Sequence, residues 1–309
     1  LLPKFIVVSN SVSDNNEIVR KGNERVIRAR LEDARFYYND DLKKSLWESK
    51  DELKNVTFQE ELGSIFDKLE RVSFICSFIA NKLDFKDDEK LLRAAMLSKA
   101  DLVSGVVGEF PELQGYMGKV YAINSGEDEE VASAIYEHYL PRFAEDALPS
   151  SDIGSIISIA DKVDNIAAFF FLGMIPTGSE DPFALRRQAA GIIRILQERD
   201  YPLTLENIIE TALQSLENHT PSIRSLTEKI FLFFNQRLEG ILLSQGYSYD
   251  TVNAVLAVKG LTMKEIKEKM DILAAIRKEP GFEGLLTSAK RVYNILGESK
   301  AGEVKTSLF

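Results

Sequence analysis

Residues 151–173, SDIGSIISIADKVDNIAAFFFLG, form one long apolar stretch that carries charge in its middle. The apolar positions recur at helical spacing, so the stretch predicts a helix. Asp161 and Asp164 lie three apart and share one face of it, with Lys162 between them in sequence. The charges keep it short of the roughly 18 uninterrupted apolar residues that a membrane span needs. Two carboxylates at this spacing can hold a cation or accept a proton. The simpler reading is a polar stripe capped by neighbouring bases, on a helix otherwise made for a protein core.

The segments on either side carry the same period. NERVIRARLEDARFYYNDDLKKSL opens on an asparagine cap at Asn23, and SIFDKLERVSFICSFIANKL follows with an apolar stripe. DDEKLLRAAMLSKADLVSGVV starts with two aspartates and runs to the corner GEFPELQG, residues 108–115. There Gly108 ends one helix and Pro111 begins the next. Gly115 and Gly118 have the spacing that lets a second helix approach. EEVASAIYEHYL is ended by Pro141, and PFALRRQAAGIIRILQER has Asp181 as cap and Pro182 at the first helical position. The breaker Tyr201–Pro202 precedes five more amphipathic segments in a bundle-type pattern. KFIVVSN, residues 4–10, is β-branched and predicts a short strand, and AGEVKTSLF at the end predicts a frayed tail. The start, LLPKFIVV, lacks an initiator methionine and a signal-peptide pattern, so it reads as an internal start. The expected fold is mainly α with a short N-terminal β segment. It divides into residues 1–45, 46–202 and 203–309.

Hydrophobic residues make up 45% of the 309, enough for real cores, which excludes a disordered chain. The whole net charge of −10 falls on residues 1–202, while 203–309 balance. That excludes a globally basic nucleic-acid binder and leaves room for a local basic face at the back. The single cysteine, Cys76, sits in the apolar run VSFICSFIA and reads as a core thiol in a reducing compartment. His138 and His219 are the only histidines and fall in different predicted domains, so no zinc set can be assembled. His138 reads as a half-buried helix residue. No Walker-type or Rossmann-type glycine loop is present.

Several residues remain as binding candidates. Glu109 and Gln114 sit on the corner, where they can face a partner. The corner itself shows no nucleophile and no general base with an orienter. Arg186 and Arg187 are adjacent on a helix, so they splay to different faces. One can pair with an acid while the other reaches a phosphate or a partner, although salt bridges for both are as natural. Lys290, Arg291 and Asn294 lie on adjacent turns near Tyr293; Gln236 and Arg237 share the predicted bundle with Tyr247. Polar donors beside an aromatic ring are how single-stranded RNA bases are held. A solvated helix face is the plain alternative.

The order of these words carries a resemblance. FQEELGSIFDKLERV, KADLVSGVVGEFPELQGYMGKVYA, IADKVDNI and PTGSEDPFALRRQAAGIIRI, in that sequence after the first helix, closely resemble the β subunit of the bacterial two-subunit (α2β2) glycyl-tRNA synthetase. GEFPELQG and PTGSEDPFALRR are the most specific parts. The resemblance implies an HD-like helical domain over residues 46–202. Its metal-ligand positions would be degenerate, with Ala100–Asp101 at the His-Asp position and Asp161 at the final Asp. It implies that residues 203–309 begin an anticodon-binding domain in which KRVYNIL is a core helix, which shifts those residues from RNA reader toward packing. It also implies a cytoplasmic chain that holds tRNA(Gly) and joins the α subunit, with no DNA or membrane partner. Adenylate chemistry, with ATP and Mg, belongs to the α subunit, so no cofactor and no catalytic residue is expected here. A metal-dependent HD-type phosphohydrolase using Asp101 and Asp161, and a helical scaffold without RNA contact, are the alternatives.

Overall fold

The computed structural model describes residues 4–8, 15–178, 180–216 and 223–296. His219 and the tail from residue 301 lie outside them. The helices come in the order α1 (Asn16–Asp41), α2 (Leu46–Ser49), α3 (Ile65–Leu83), α4 (Asp88–Leu97), α5 (Gly105–Glu109), α6 (Tyr116–Asn124) and α7 (Glu129–Glu137). They continue with α8 (Asp152–Phe171), α9 (Leu185–Arg199), α10 (Leu205–Gln214), α11 (Ile223–Ser244), α12 (Tyr249–Leu256), α13 (Met263–Ile276) and α14 (Phe282–Leu296). Two short strands, β1 (Thr57–Gln59) and β2 (Gly63–Ser64), make an antiparallel hairpin before α3.

α8 is the axis. Ser151 caps it by accepting from Gly154 N at 2.9 Å, and 17 of its 20 residues are buried. α3, α4, α7, α9, α10 and α11 all pack against it. A helix this rich in apolar residues belongs in such a place, because nearly every direction it faces is protein. The core runs on past residue 202: α10 lies on α3 and α8, and Phe233 of α11 meets Phe170 edge-on at 5.1 Å. α12 and α13 complete the back, with α13 also touching α9.

α1 is different. It is 26 residues long and buries none of them. Its packing is against α5, where Asp41 accepts from Gly105 N at 2.7 Å, Val106 N at 3.1 Å and the Tyr121 hydroxyl at 2.6 Å. The carboxylate thus satisfies the free amides at the start of a five-residue helix.

Four local expectations change. The first helix begins at Asn16, so Asn23 is interior and donates to Val19 O instead of capping. Residues 4–8 form no strand and pair with none among the described residues; a lone strand has nothing to satisfy its backbone, and the β structure is the hairpin at 57–64. Pro111 starts a short 3-10 turn, and the α-helix resumes at Tyr116. α9 starts at Leu185, with Asp181 accepting from Leu185 N and Arg186 N across the turn, so Arg186 and Arg187 lie in its first turn.

Candidate functional site

The charged middle of α8 faces bases from two other elements. Lys68 and Arg71, three apart on α3, reach Asp164: Lys68 Nζ donates to Oδ2 at 2.8 Å and Arg71 Nε to Oδ1 at 2.7 Å. Lys68 also stands 3.1 Å from Asp161 Oδ1, and Lys99, from the turn after α4, donates to Asp161 Oδ2 at 3.2 Å. Both aspartates are buried. Burial alone would raise the Asp161 carboxyl; the ammoniums of Lys68 and Lys99 outweigh it and hold it far below the ordinary carboxylate range. Burial likewise works against charge on Lys68, and Asp161 and Asp164 overcome it, so its ammonium persists. The acid pair is therefore capped by three fixed bases.

Lys162 points the other way along the same helix. Its amine donates to His138 O at 3.1 Å, Leu140 O at 2.9 Å and Ser158 Oγ at 2.8 Å, tying the end of α7 to α8. Burial brings it down to about 7 despite the pull of Asp161.

Asp101 serves the corner. Its Oδ2 accepts from Gly115 N at 2.6 Å and Gly118 N at 2.9 Å. Gly115 has φ +81°, which favours glycine, and a Cβ there would lie 2.5 Å from the Tyr139 ring. A Cβ on Gly118 would lie 2.7 Å from Ile135 of α7, so this glycine is the close approach between α6 and α7. Asp101 and Asp161 thus serve different partners. Among the described residues no group of three or more His, Cys, Asp or Glu side chains is placed to hold one metal ion.

Between α8, the end of α7, the corner and the start of α9 lies a cleft of about 460 Å³. Lys99, Gln114, Tyr139, Arg142, Asp161, Arg187 and Phe183 line it. His138 sits behind Tyr139, fully buried where the sequence suggested half-burial, because it closes α7 against α8. Its Nδ1 donates to Ile135 O at 2.7 Å, and burial, then Lys99, push its pKa well below the usual value, so the ring is neutral. Cys76 is buried and its thiol is pushed up by burial, in keeping with a core residue.

The other nominated residues scatter. Glu109 is exposed and ion-paired to Arg30 of α1 at 3.0 Å; Gln114 is half-buried in the cleft and its carbonyl accepts from Arg142 at 3.4 Å. Arg187 opens into the cleft, while Arg186 turns back toward Glu180 O at 3.5 Å. Arg237 stacks on Phe233 with its guanidinium 4.1 Å from the ring centroid and donates to Gln236 Oε1 at 2.9 Å. Burial and then the charge of Arg186 lower the Arg237 pKa, against Asp181, on helices α9 and α11 that pack together. Tyr247 is a strut whose hydroxyl donates to Asp271 at 2.5 Å. Lys290, Arg291, Tyr293 and Asn294 are exposed on α14, away from the rest. The sequence reading missed Lys68, Arg71, Lys99, Tyr139 and Arg142. The available signal was the pair Lys68 and Arg71, three apart beside the apolar stripe of α3.

No described helix is long and apolar enough to cross a membrane. A family model described as glycyl-tRNA synthetase beta subunit matches residues 1–257. The glycine–tRNA ligase beta subunit of Syntrophus aciditrophicus is 42% identical over 100% of this chain and 45% of its own length. That of Geobacter sulfurreducens is 44% identical over 100% and 45%, and that of Halothermothrix orenii 46% over 90% and 40%. The chain thus spans less than half the length of the curated relatives it matches. With the match running from the first residue through α12, the chain belongs to the glycyl-tRNA synthetase beta subunit family.

Proposed function

We propose that this chain is the tRNA-holding and subunit-joining part of glycine–tRNA ligase, working in the cytoplasm beside an α subunit that makes glycyl-adenylate from ATP and Mg. The observation that carries the reading is the family match over residues 1–257. The geometry agrees with it: the buried acids of α8 are spent on Lys68, Lys99 and Arg71, which makes them structural struts. In this reading residues 46–202 are an HD-like body whose ligand positions have become struts, and residues 203–309 open an anticodon-binding body built onto it. The contribution to the reaction is orientation, bringing the tRNA terminal hydroxyl to an adenylate held on another chain.

Arg186 on α9, and Arg237 with Gln236 on α11, are the candidates proposed for phosphate contact. Arg187 at the cleft mouth, Glu109 and Gln114 on the corner, and Lys290, Arg291 and Asn294 on α14 are the other contacts proposed for tRNA or the α subunit. The experiment is a pull-down of tRNA(Gly) and of the α subunit by the full-length subunit and by this stretch, with tRNA affinity measured across salt concentrations. The expected result is capture of both, and a logarithmic affinity that falls linearly with the logarithm of salt. A tRNA affinity indifferent to salt, or no capture of either by the full-length subunit, overturns the reading.

A further inference from the structure

α1 stands outside the core, and its charges are sorted by side. Lys21, Arg25, Arg28, Glu32 and Arg35 follow one another at spacings of four, three, four and three, which is one stripe of a helix. Other residues fix the packed side. Arg30 pairs with Glu109 at 3.0 Å and lies over the Phe110 ring at 5.8 Å, Tyr38 stacks on Tyr121 at 6.0 Å, and Asp41 holds α5. At 3.6 residues per turn, Arg25, Arg28 and Arg35 lie about 140–160° round the helix from Arg30, so the stripe looks away from the protein. All three are exposed.

These arginines are also unused. Among the described residues Arg25, Arg28 and Arg35 have neither an ion-pair nor a hydrogen-bond partner. Arg20 and Lys21, earlier on the same helix, pair with Glu17 at 2.8 and 3.5 Å. Every other described helix has at most one arginine without such a partner. Residues 1–202 carry the whole negative net charge, yet from Arg20 to Arg35 the bases outnumber the acids six to three. α1 is thus a local basic face on the acidic part of the chain, with Glu32 the one acid in its stripe. Like charges three or four apart on a helix repel, so the stripe costs the free helix stability that an anion laid along it returns.

We infer that this face of α1 lies along the phosphate backbone of tRNA, with Arg25, Arg28 and Arg35 as the contacts. The inference rests on the tRNA-holding function proposed above and adds to it a surface that reads no sequence. From Arg25 to Arg35 the helix rises about 15 Å. A nucleic-acid duplex carries roughly one charge per 1.7 Å of axis, so a row of that length runs beside several phosphates. A guanidinium can donate to two phosphate oxygens at once, and its long stem adjusts to their spacing. Ile18 and Phe36 flank the stripe on one side and Leu31 on the other, all exposed. The stripe itself holds no ring on which a base could stack, so it grips backbone and not bases. A partner protein would need carboxylates placed one by one to match it; a nucleic acid has its row of anions by construction.

The test is tRNA(Gly) binding by the full-length subunit across salt concentrations, for the wild type and for the triple variant Arg25→Gln/Arg28→Gln/Arg35→Gln. The slope of logarithmic affinity against logarithmic salt is expected to become shallower by about 2–3, at roughly 0.7–0.9 per lost contact, with affinity at about 0.1 M salt down tenfold or more. A tRNA of another specificity is expected to lose as much, because backbone contacts carry no sequence. Lysine at the same three positions keeps the charge and is expected to keep the slope. Glu32→Gln removes the acid from the stripe and is expected to tighten binding a few-fold, a change of sign that damage to the helix does not give. α1 buries none of its residues, and circular dichroism checks that the variants keep their helices. If the triple variant loses helix, Glu32→Gln decides. An unchanged slope in the triple variant, with the wild type bound, overturns the inference and leaves the proposed function standing; failure of the wild type to bind tRNA overturns both. Loss of α-subunit capture by the triple variant at an unchanged tRNA slope also overturns it, because the face then belongs to a protein partner.

Discussion

α8 and α14 are both amphipathic helices with charge in the middle, and they end in opposite surroundings. α8 has six helices around it and keeps Asp161, Lys162 and Asp164 inside. α14 leaves Leu285, Leu286, Val292 and Ile295 in solvent together with Lys290, Arg291 and Asn294. An apolar stripe states that a helix has a side to cover; it does not state what covers it. The stripe of α8 is answered by residues scattered from position 65 to 244, and only the fold brings those together. The same difference separates their charges. On α14 a lysine is solvated at no cost, whereas on α8 each ionised group needs a named partner.

That contrast can be broken by mutation. The largest effect is expected from Asp164→Ala, which leaves Arg71 without its carboxylate and Lys68 with Asp161 alone. Removing one side of such a network costs about 3–5 kcal/mol, read by urea denaturation, and a loss under 1 kcal/mol means the ions are solvated after all. Ile157→Ala, in the fully buried part of α8, is expected to cost about 2–5 kcal/mol in the same assay. Asp101→Ala strands the amides of Gly115 and Gly118 and is expected to cost about 1–3 kcal/mol, with hydrogen exchange faster at those two amides than elsewhere in α6.

A pH series sharpens the comparison further. Lys162 titrates near 7 when folded and at its ordinary 10.5 when unfolded, so between those values the unfolded chain holds more protons. Stability then rises with pH across that window through this group, by at most about 1.4 kcal/mol per pH unit. Lys162→Met is expected to flatten that slope in denaturation curves taken from pH 7 to 9. Asp161 acts in the same direction in acid: its stabilisation is present above the ordinary carboxylate pKa near 4 and is lost below it. The smallest effect belongs to α14. Leu285→Ser is expected to change stability by about 0.5 kcal/mol or less, and a larger loss would show that the helix has a cover in solution.

The sequence made the helices legible because their period is local. All five segments after residue 203 are helices; the corner at 108–115 is a turn, but Gly108 lies inside α5, which ends at Glu109, and Pro111 opens a 3-10 turn in place of the next α-helix. Boundaries were harder. Asn23 has the chemistry of a cap, but Gly22 and the residues before it stay helical, and nothing in the spacing says so. The run at residues 4–8 has strand chemistry and no partner strand among the described residues, and a strand needs a partner before it exists. The acid stripe on α8 was visible as a stripe, and its partners were not. Nothing in the spacing singles out Lys68 or Lys99, since burial of a lysine is decided by what lies across from it. Tyr139 and Arg142 carry no spacing signal at all; the chain reversal after α7 is what turns them into the cleft.

Lys68 and Lys99 have one more consequence. A metal ion that balances a carboxylate is borrowed from solution, and its occupancy follows supply, chelation and competition. The positive charge beside Asp161 is bonded to the chain, so its local concentration is set at synthesis and does not change with the medium. The middle of α8 keeps its electrical balance through any swing in divalent ions, and only acid, base or a codon change can disturb it.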